Sequence, residues 1–144
     1  MNAYQKLFDI ENKKSKFIGI IDQYAKFCEQ MQLLSEEHWT RFEDQFRKDS
    51  DSFDDGWRGE YWGKMMRGAA LTYSYTHNPK LYEVMKKTIK NMIALQDESG
   101  RISSFGVDKE FKAWDMWCRK YVMLGMQYFL EINEDKEFEK EIIE

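Results

Sequence analysis

Tyr75-Thr76-His77-Asn78-Pro79-Lys80-Leu81-Tyr82 is the stretch whose reading decides the fold. An Asn at a helix N-cap can accept a hydrogen bond from a first-turn amide. Pro at the next position loses nothing, because its missing N–H would have no intrahelical partner there. Leu81, Tyr82, Met85, Ile89, Met92 and Ile93 then recur at helical spacing, which predicts a helix from Pro79 to about Gln96. Upstream, Trp62, Met66, Ala69, Ala70 and Tyr73 form the apolar stripe of a helix ending near Tyr75, with Gly63 and Gly68 thinning its backbone for a close neighbour. With Thr76-His77 as the connection, the two helices must fold back antiparallel.

Working outward, the same periodicity continues in both directions. Phe17, Ile20, Ile21, Tyr24, Phe27, Cys28, Met31 and Leu34 predict a buried stripe on a first helix from about Lys14 to Leu34. Ser35 offers an N-cap and Glu36 and Glu37 an acidic first turn to a second helix that buries Trp39, Phe42 and Phe46. A fifth helix from about Phe111 to Ile132 carries Trp114, Trp117, Tyr121, Leu124, Tyr128 and Phe129, and a sixth follows Asn133-Glu134-Asp135 with Phe138, Ile142 and Ile143. The expected fold is therefore all-α, built of antiparallel helical hairpins within one domain spanning 1–144.

Composition bounds the function. The 144 residues are 42% hydrophobic and 16% aromatic, with nine Met and a single Pro, enough for one modest core. A net charge of −4 argues against nucleic acid as a partner, since phosphate binding needs a basic face, and Lys86, Lys87 and Lys90 read as a solvated helix face. Met1 to Ile10 has no basic segment followed by an apolar one, and no apolar run is long enough to span a bilayer, so the expectation is a cytoplasmic chain without membrane partners. Cys28 and Cys118, far apart and outside any CxxC pair, read as free, buried thiols, with a single disulfide as the lesser alternative. His38 lacks a second His or Cys at metal spacing, and His77 reads as a loop histidine. The acidic turn Lys48–Asp55 lacks the Gly and terminal Glu of an EF-hand loop and does not read as a calcium site.

Two phrases combine flat aromatic faces with charge. Gly56-Trp57-Arg58-Gly59-Glu60-Tyr61-Trp62-Gly63-Lys64-Met65-Met66-Arg67 mixes three glycines, two tryptophans and a tyrosine with hydrogen-bonding side chains, a composition suited to a planar or sugar ligand. Trp114-Asp115-Met116-Trp117-Cys118-Arg119-Lys120-Tyr121 is the second, and Arg119 and Lys120 there need solvent, a carboxylate or a ligand. A loop at Gln96-Asp97-Glu98-Ser99-Gly100-Arg101-Ile102 lies between them, and loops at helix ends are where binding groups concentrate. Nothing here pairs a nucleophile with a base.

In order and spacing, Gly56 to Lys64, Leu95 to Ile102 and Trp114 to Tyr121 together resemble the N-terminal part of the β-L-arabinofuranosidase-type enzymes of glycoside hydrolase family 127. The resemblance covers most of the chain from about Ile20 onward and is weakest before Trp39. It implies an (α/α)6 toroid of which these helices would be one arc, making 1–144 the incomplete N-terminal part of a larger catalytic domain. It implies substrate-side roles for Arg58, Glu60, Trp62, Gln96, Trp114, Asp115 and Arg119 toward an arabinofuranoside-like carbohydrate. The family's catalytic cysteine and its zinc would lie outside this chain, which thus has no catalytic residue, metal ligand or cofactor of its own and should release no sugar alone. Trp114-Asp115 departs from the family's usual His-Glu opening of that phrase. The competing reading is a stand-alone helical interaction module without enzymatic activity. Under either reading, uncovered hairpin faces would favour self-association.

Overall fold

The computed structural model describes residues 16–47 and 58–144, with the Arg58 side chain outside that set. Gly56, Trp57, the Lys48–Asp55 turn and the proposed role of the Arg58 side chain thus lie outside the described residues. Among the described residues six α-helices follow one another: α1 Ile20–Cys28, α2 Glu36–Arg47, α3 Arg58–Thr76, α4 Pro79–Ile93, α5 Asp115–Leu130 and α6 Lys136–Ile143. A π-helical turn, Glu29–Leu33, extends α1, and a 3-10 turn, Val107–Lys109, interrupts the long α4–α5 connection. No β-strand occurs among the described residues, and no helix among them is long and apolar enough to cross a membrane.

The caps explain the boundaries. Asn78 Oδ1 accepts from the Lys80 amide at 3.0 Å with Pro79 in the first turn, as the sequence predicts. The Asp135 carboxylate accepts from the amides of Glu137 and Phe138 and opens α6. His77, at φ 51°, supplies the left-handed residue that ends α3, and its ring meets Tyr73 edge-on.

Contacts between helices sort them into two rows. The Lys87 ammonium reaches Glu36 at 2.5 Å and Asn91 reaches Glu43 at 2.8 Å, so α2 and α4 run parallel. Tyr82 donates to Asn133 and Lys86 to Asp135, both at 2.7 Å, so α6 continues that direction. In the other row, Gly59 meets Cys118, Gly63 meets Tyr121 and Met66 meets Gly125, so α3 and α5 are also parallel. Between rows the order is antiparallel: Tyr73 faces Tyr82, while Trp62 Nε1 donates to Thr88 Oγ1 at 3.1 Å.

The core lies between the rows, with Trp39, Trp62, Met66, Leu81, Met85, Ile89, Met92 and Phe129 almost wholly buried. Trp39 and Trp62 meet edge to face at 6.5 Å. Glycine is required at Gly63, where a Cβ would overlap the Tyr121 carbonyl. Gly68 does not play the part expected of it, since a Cβ there would meet nothing within 4 Å.

Four expectations are corrected here. Ile20–Cys28 buries no residue, and Phe17, Ile20, Ile21, Tyr24, Phe27 and Met31 are exposed. The reason is that α1 meets the C-terminal turn of α3 through polar groups, Tyr75 Oη donating to Asp22 at 2.6 Å and Thr76 Oγ1 to Glu29 at 2.5 Å. Cys28 is accordingly exposed, and Cys118 alone of the two thiols is buried. On α5 the buried positions are Asp115, Cys118, Val122, Gly125, Met126 and Phe129, one residue out of phase with the predicted stripe. Small residues must face the close α3 crossing, which turns Trp114, Trp117 and Leu124 partly outward. The helix also begins at Asp115 rather than Phe111, because Phe111 and Ala113 take left-handed backbone at φ 59° and 47°.

Candidate functional site

Because α3 and α5 are parallel, their N-terminal turns lie side by side, and the two aromatic and charged phrases of the sequence meet there. Trp117 Nε1 donates to Glu60 Oε2 at 2.7 Å across the two helices, while Lys64 holds the other carboxylate oxygen. Trp114 and Trp117 meet edge-on at 6.1 Å, and Trp117 meets Tyr121 edge-on at 5.2 Å. Tyr61 lies against Phe42, tilted at 6.2 Å. Tyr61 is 46% exposed, Trp114 38% and Trp117 37%, so ring surface remains open to solvent. The Lys120 ammonium stands 3.3 Å from the centre of the Trp117 ring and 4.3 Å from that of Tyr121.

Glu60 is nearly buried. Burial by itself would raise its carboxyl pKa, but the hydrogen bonds from Lys64 and Trp117 outweigh it and hold the group below its ordinary value. It therefore stays ionised at neutral pH and serves as an acceptor, not as a proton donor. Its ion-pair partner is Lys64 and not Arg119.

Arg119 belongs to a second cluster, under the α4–α5 connection. It contacts Glu110 and Asp115, each at 2.8 Å. Asp115, fully buried, also accepts from Ser103 Oγ at 2.6 Å and from the Phe111 amide at 3.0 Å. Arg101 stands 3.6 Å from the same carboxylate and donates to the Phe105 carbonyl. Desolvation would raise the Asp115 pKa, and the bonds from Ser103, Phe111 and Arg119 overcome it and keep the pKa depressed. This network fastens the connection to the first turn of α5.

The predicted site residues thus separate. Glu60 and Trp114 both belong to the aromatic cluster, each through Trp117. Trp62 is wholly buried between Trp39 and Thr88 and offers no ring face to a ligand. Asp115 has no open surface, and Arg119 is committed to two carboxylates, so both shape the backbone under the cluster. Gln96 is exposed, donates to the Gly100 carbonyl at 3.1 Å, and turns its own loop. Gly100, at φ 84°, makes that turn possible.

Sequence reasoning assigned Trp117 and Tyr121 to packing and missed Glu43. That carboxylate is buried, accepting from Thr88 at 2.6 Å and Asn91 at 2.8 Å, and it ties α2 to α4 beneath Trp62. A Cys118, Val122, Gly125 and Phe129 stripe was equally legible at helical spacing and would have turned Trp117 outward.

The zinc and the thiolates that the resemblance implies would lie outside this chain. Cys28 is exposed on α1, Cys118 is buried on α5 against Gly59 and Ser104, and no group of three His, Cys, Asp or Glu side chains among the described residues converges on one point. No protein-family model, curated protein or solved structure matches this chain.

Proposed function

We propose that the chain contributes one wall of a carbohydrate site in a glycoside hydrolase resembling the β-L-arabinofuranosidases, its hairpins forming an arc of an (α/α)6 toroid. One observation carries the reading: the partly open rings of Trp114 and Trp117 stand beside an ionised, nearly buried carboxylate where two parallel helices begin. Sugars are held by apolar contact with a ring face and a few directed hydrogen bonds, and this cluster offers both. The hydrolytic groups are supplied from outside the described residues. Two rows of parallel helices, antiparallel to one another, support the arc.

Titration of the chain with arabinofuranosides and arabino-oligosaccharides, followed by tryptophan fluorescence, tests this. A saturable change that disappears in Trp117→Ala and Trp114→Ala is the expected result. No response from the folded chain at millimolar sugar would refute it.

The exposed apolar face of α1 favours a second reading, in which the chain is a helical interaction module. Under that reading Phe27→Asp abolishes partner capture, and sugars leave the tryptophan signal unchanged.

A further inference from the structure

Resting on the carbohydrate reading and narrowing it, we propose that the aromatic cluster takes a sugar that carries a carboxylate, a uronic acid unit, whose anion draws Lys120 off the face of Trp117. The geometry that points to this is the position of the ammonium. At 3.3 Å from the ring centre it lies in contact with the indole face, and at 4.3 Å it also covers Tyr121. The ring surface a sugar would stack on is occupied by the protein's own cation.

What an incoming ligand must offer follows from the charges around that ammonium. Glu60, the carboxylate of the cluster, is already shared between Lys64 and the Trp117 indole N–H. Among the described residues Lys120 makes no ion pair with a carboxylate, so two ammonium groups face one anion. Lys64 lies 5.5 Å from the Tyr121 ring and adds to the positive field there. The first turns of α3 and α5 contribute partial positive charge of the same sign.

A neutral sugar must push Lys120 aside and gives the ammonium nothing in return for the lost ring contact. A uronate exchanges that contact for a charge-assisted hydrogen bond while its own ring takes the vacated face. The cluster thus selects by charge through a lid one side chain wide.

The test uses the full chain and two probes of equal size, a galacturonic acid trimer and the neutral galactose trimer, followed by tryptophan fluorescence at low salt. The wild type is expected to bind the acid about tenfold more tightly than the neutral trimer, with the difference shrinking as salt is added. Lys120→Ala uncovers Trp117. It should weaken the acid by about tenfold and strengthen the neutral trimer, reversing the preference. Lys120 is exposed, and near-ultraviolet circular dichroism checks that the variant keeps its fold. Equal binding of both trimers by the wild type, or an unchanged acid affinity in Lys120→Ala, overturns the inference while the carbohydrate reading stands. No response to the acid trimer from the folded wild type also overturns the inference, and the arabinofuranoside titration then decides the carbohydrate reading by itself.

Discussion

Asp115 and Glu60 are both carboxylates in the first turn of a helix, and their surroundings give them different work. Asp115 is closed off from water and binds a hydroxyl, an amide and a guanidinium. Asp115→Asn keeps the shape and removes the charge, leaving Arg119 and the nearly buried Arg101 short of a counterion, so it should cost about 3 kcal/mol. Chemical denaturation at pH 7 measures this. The folded pKa of Asp115 lies below its ordinary value of 3.8. Its contribution is complete above that value and disappears as pH falls through the depressed one. The wild type should lose stability in that acid window, and Asp115→Asn should show a flatter profile there. Glu60 is different, because its Lys64 partner is more than half exposed and their pairing adds little stability. Glu60→Gln still presents an acceptor to the Trp117 indole and should leave the melting temperature nearly unchanged while lowering sugar affinity. A large loss of stability with affinity per folded molecule intact would make Glu60 purely structural.

At the scale of the element, the crossing of α3 and α5 sets the geometry of the cluster. Gly63 lies against the Tyr121 main chain, and Gly125 lies against Trp62, Gly63 and Met66. Gly63→Ala forces the two helices apart and should destabilise by about 3 kcal/mol, near the upper end of what overpacking costs. It should also lengthen the Trp117 to Glu60 hydrogen bond, visible as a shift of the indole N–H resonance. Gly68 on the same helix provides the control. Its position is open, so Gly68→Ala should stabilise by about 0.5 to 1 kcal/mol through helix propensity alone. Similar thermal shifts in the two variants would show that the close approach does not hold the helices in register.

Across the whole molecule, the two rows bury one continuous core yet leave apolar surface at both ends. On α1, Ile20, Ile21, Tyr24 and Phe27 are exposed; beyond α5, Met116, Met123 and Ile143 stand around an open groove of about 810 Å³. Water in contact with such surface favours association. The chain should therefore form concentration-dependent oligomers in light scattering, and Phe27→Asp with Met123→Asp should return it to monomer. A monomer at all concentrations in the unmodified chain would refute this.

The sequence by itself determined the all-helical class, the Asn78 cap and the antiparallel turn at Asn78-Pro79, because these depend on local hydrogen bonding and on spacing along one chain. It also brought the Gly56–Arg67 and Trp114–Tyr121 phrases forward as chemically unusual. The tertiary structure decided which side of each helix is inside. Periodicity on α5 allowed two neighbouring stripes, and the choice fell to the one with Cys118 and Gly125, since small residues are needed where α3 comes close. That choice turned Trp114 and Trp117 partly outward, while the packing between rows buried Trp62. Likewise α1 has a well-formed apolar stripe, yet its contacts with Tyr75 and Thr76 are polar and the stripe stays in water. Amphipathicity states that a face can be buried; whether another surface lies against it depends on the packing of distant segments, which no local pattern encodes.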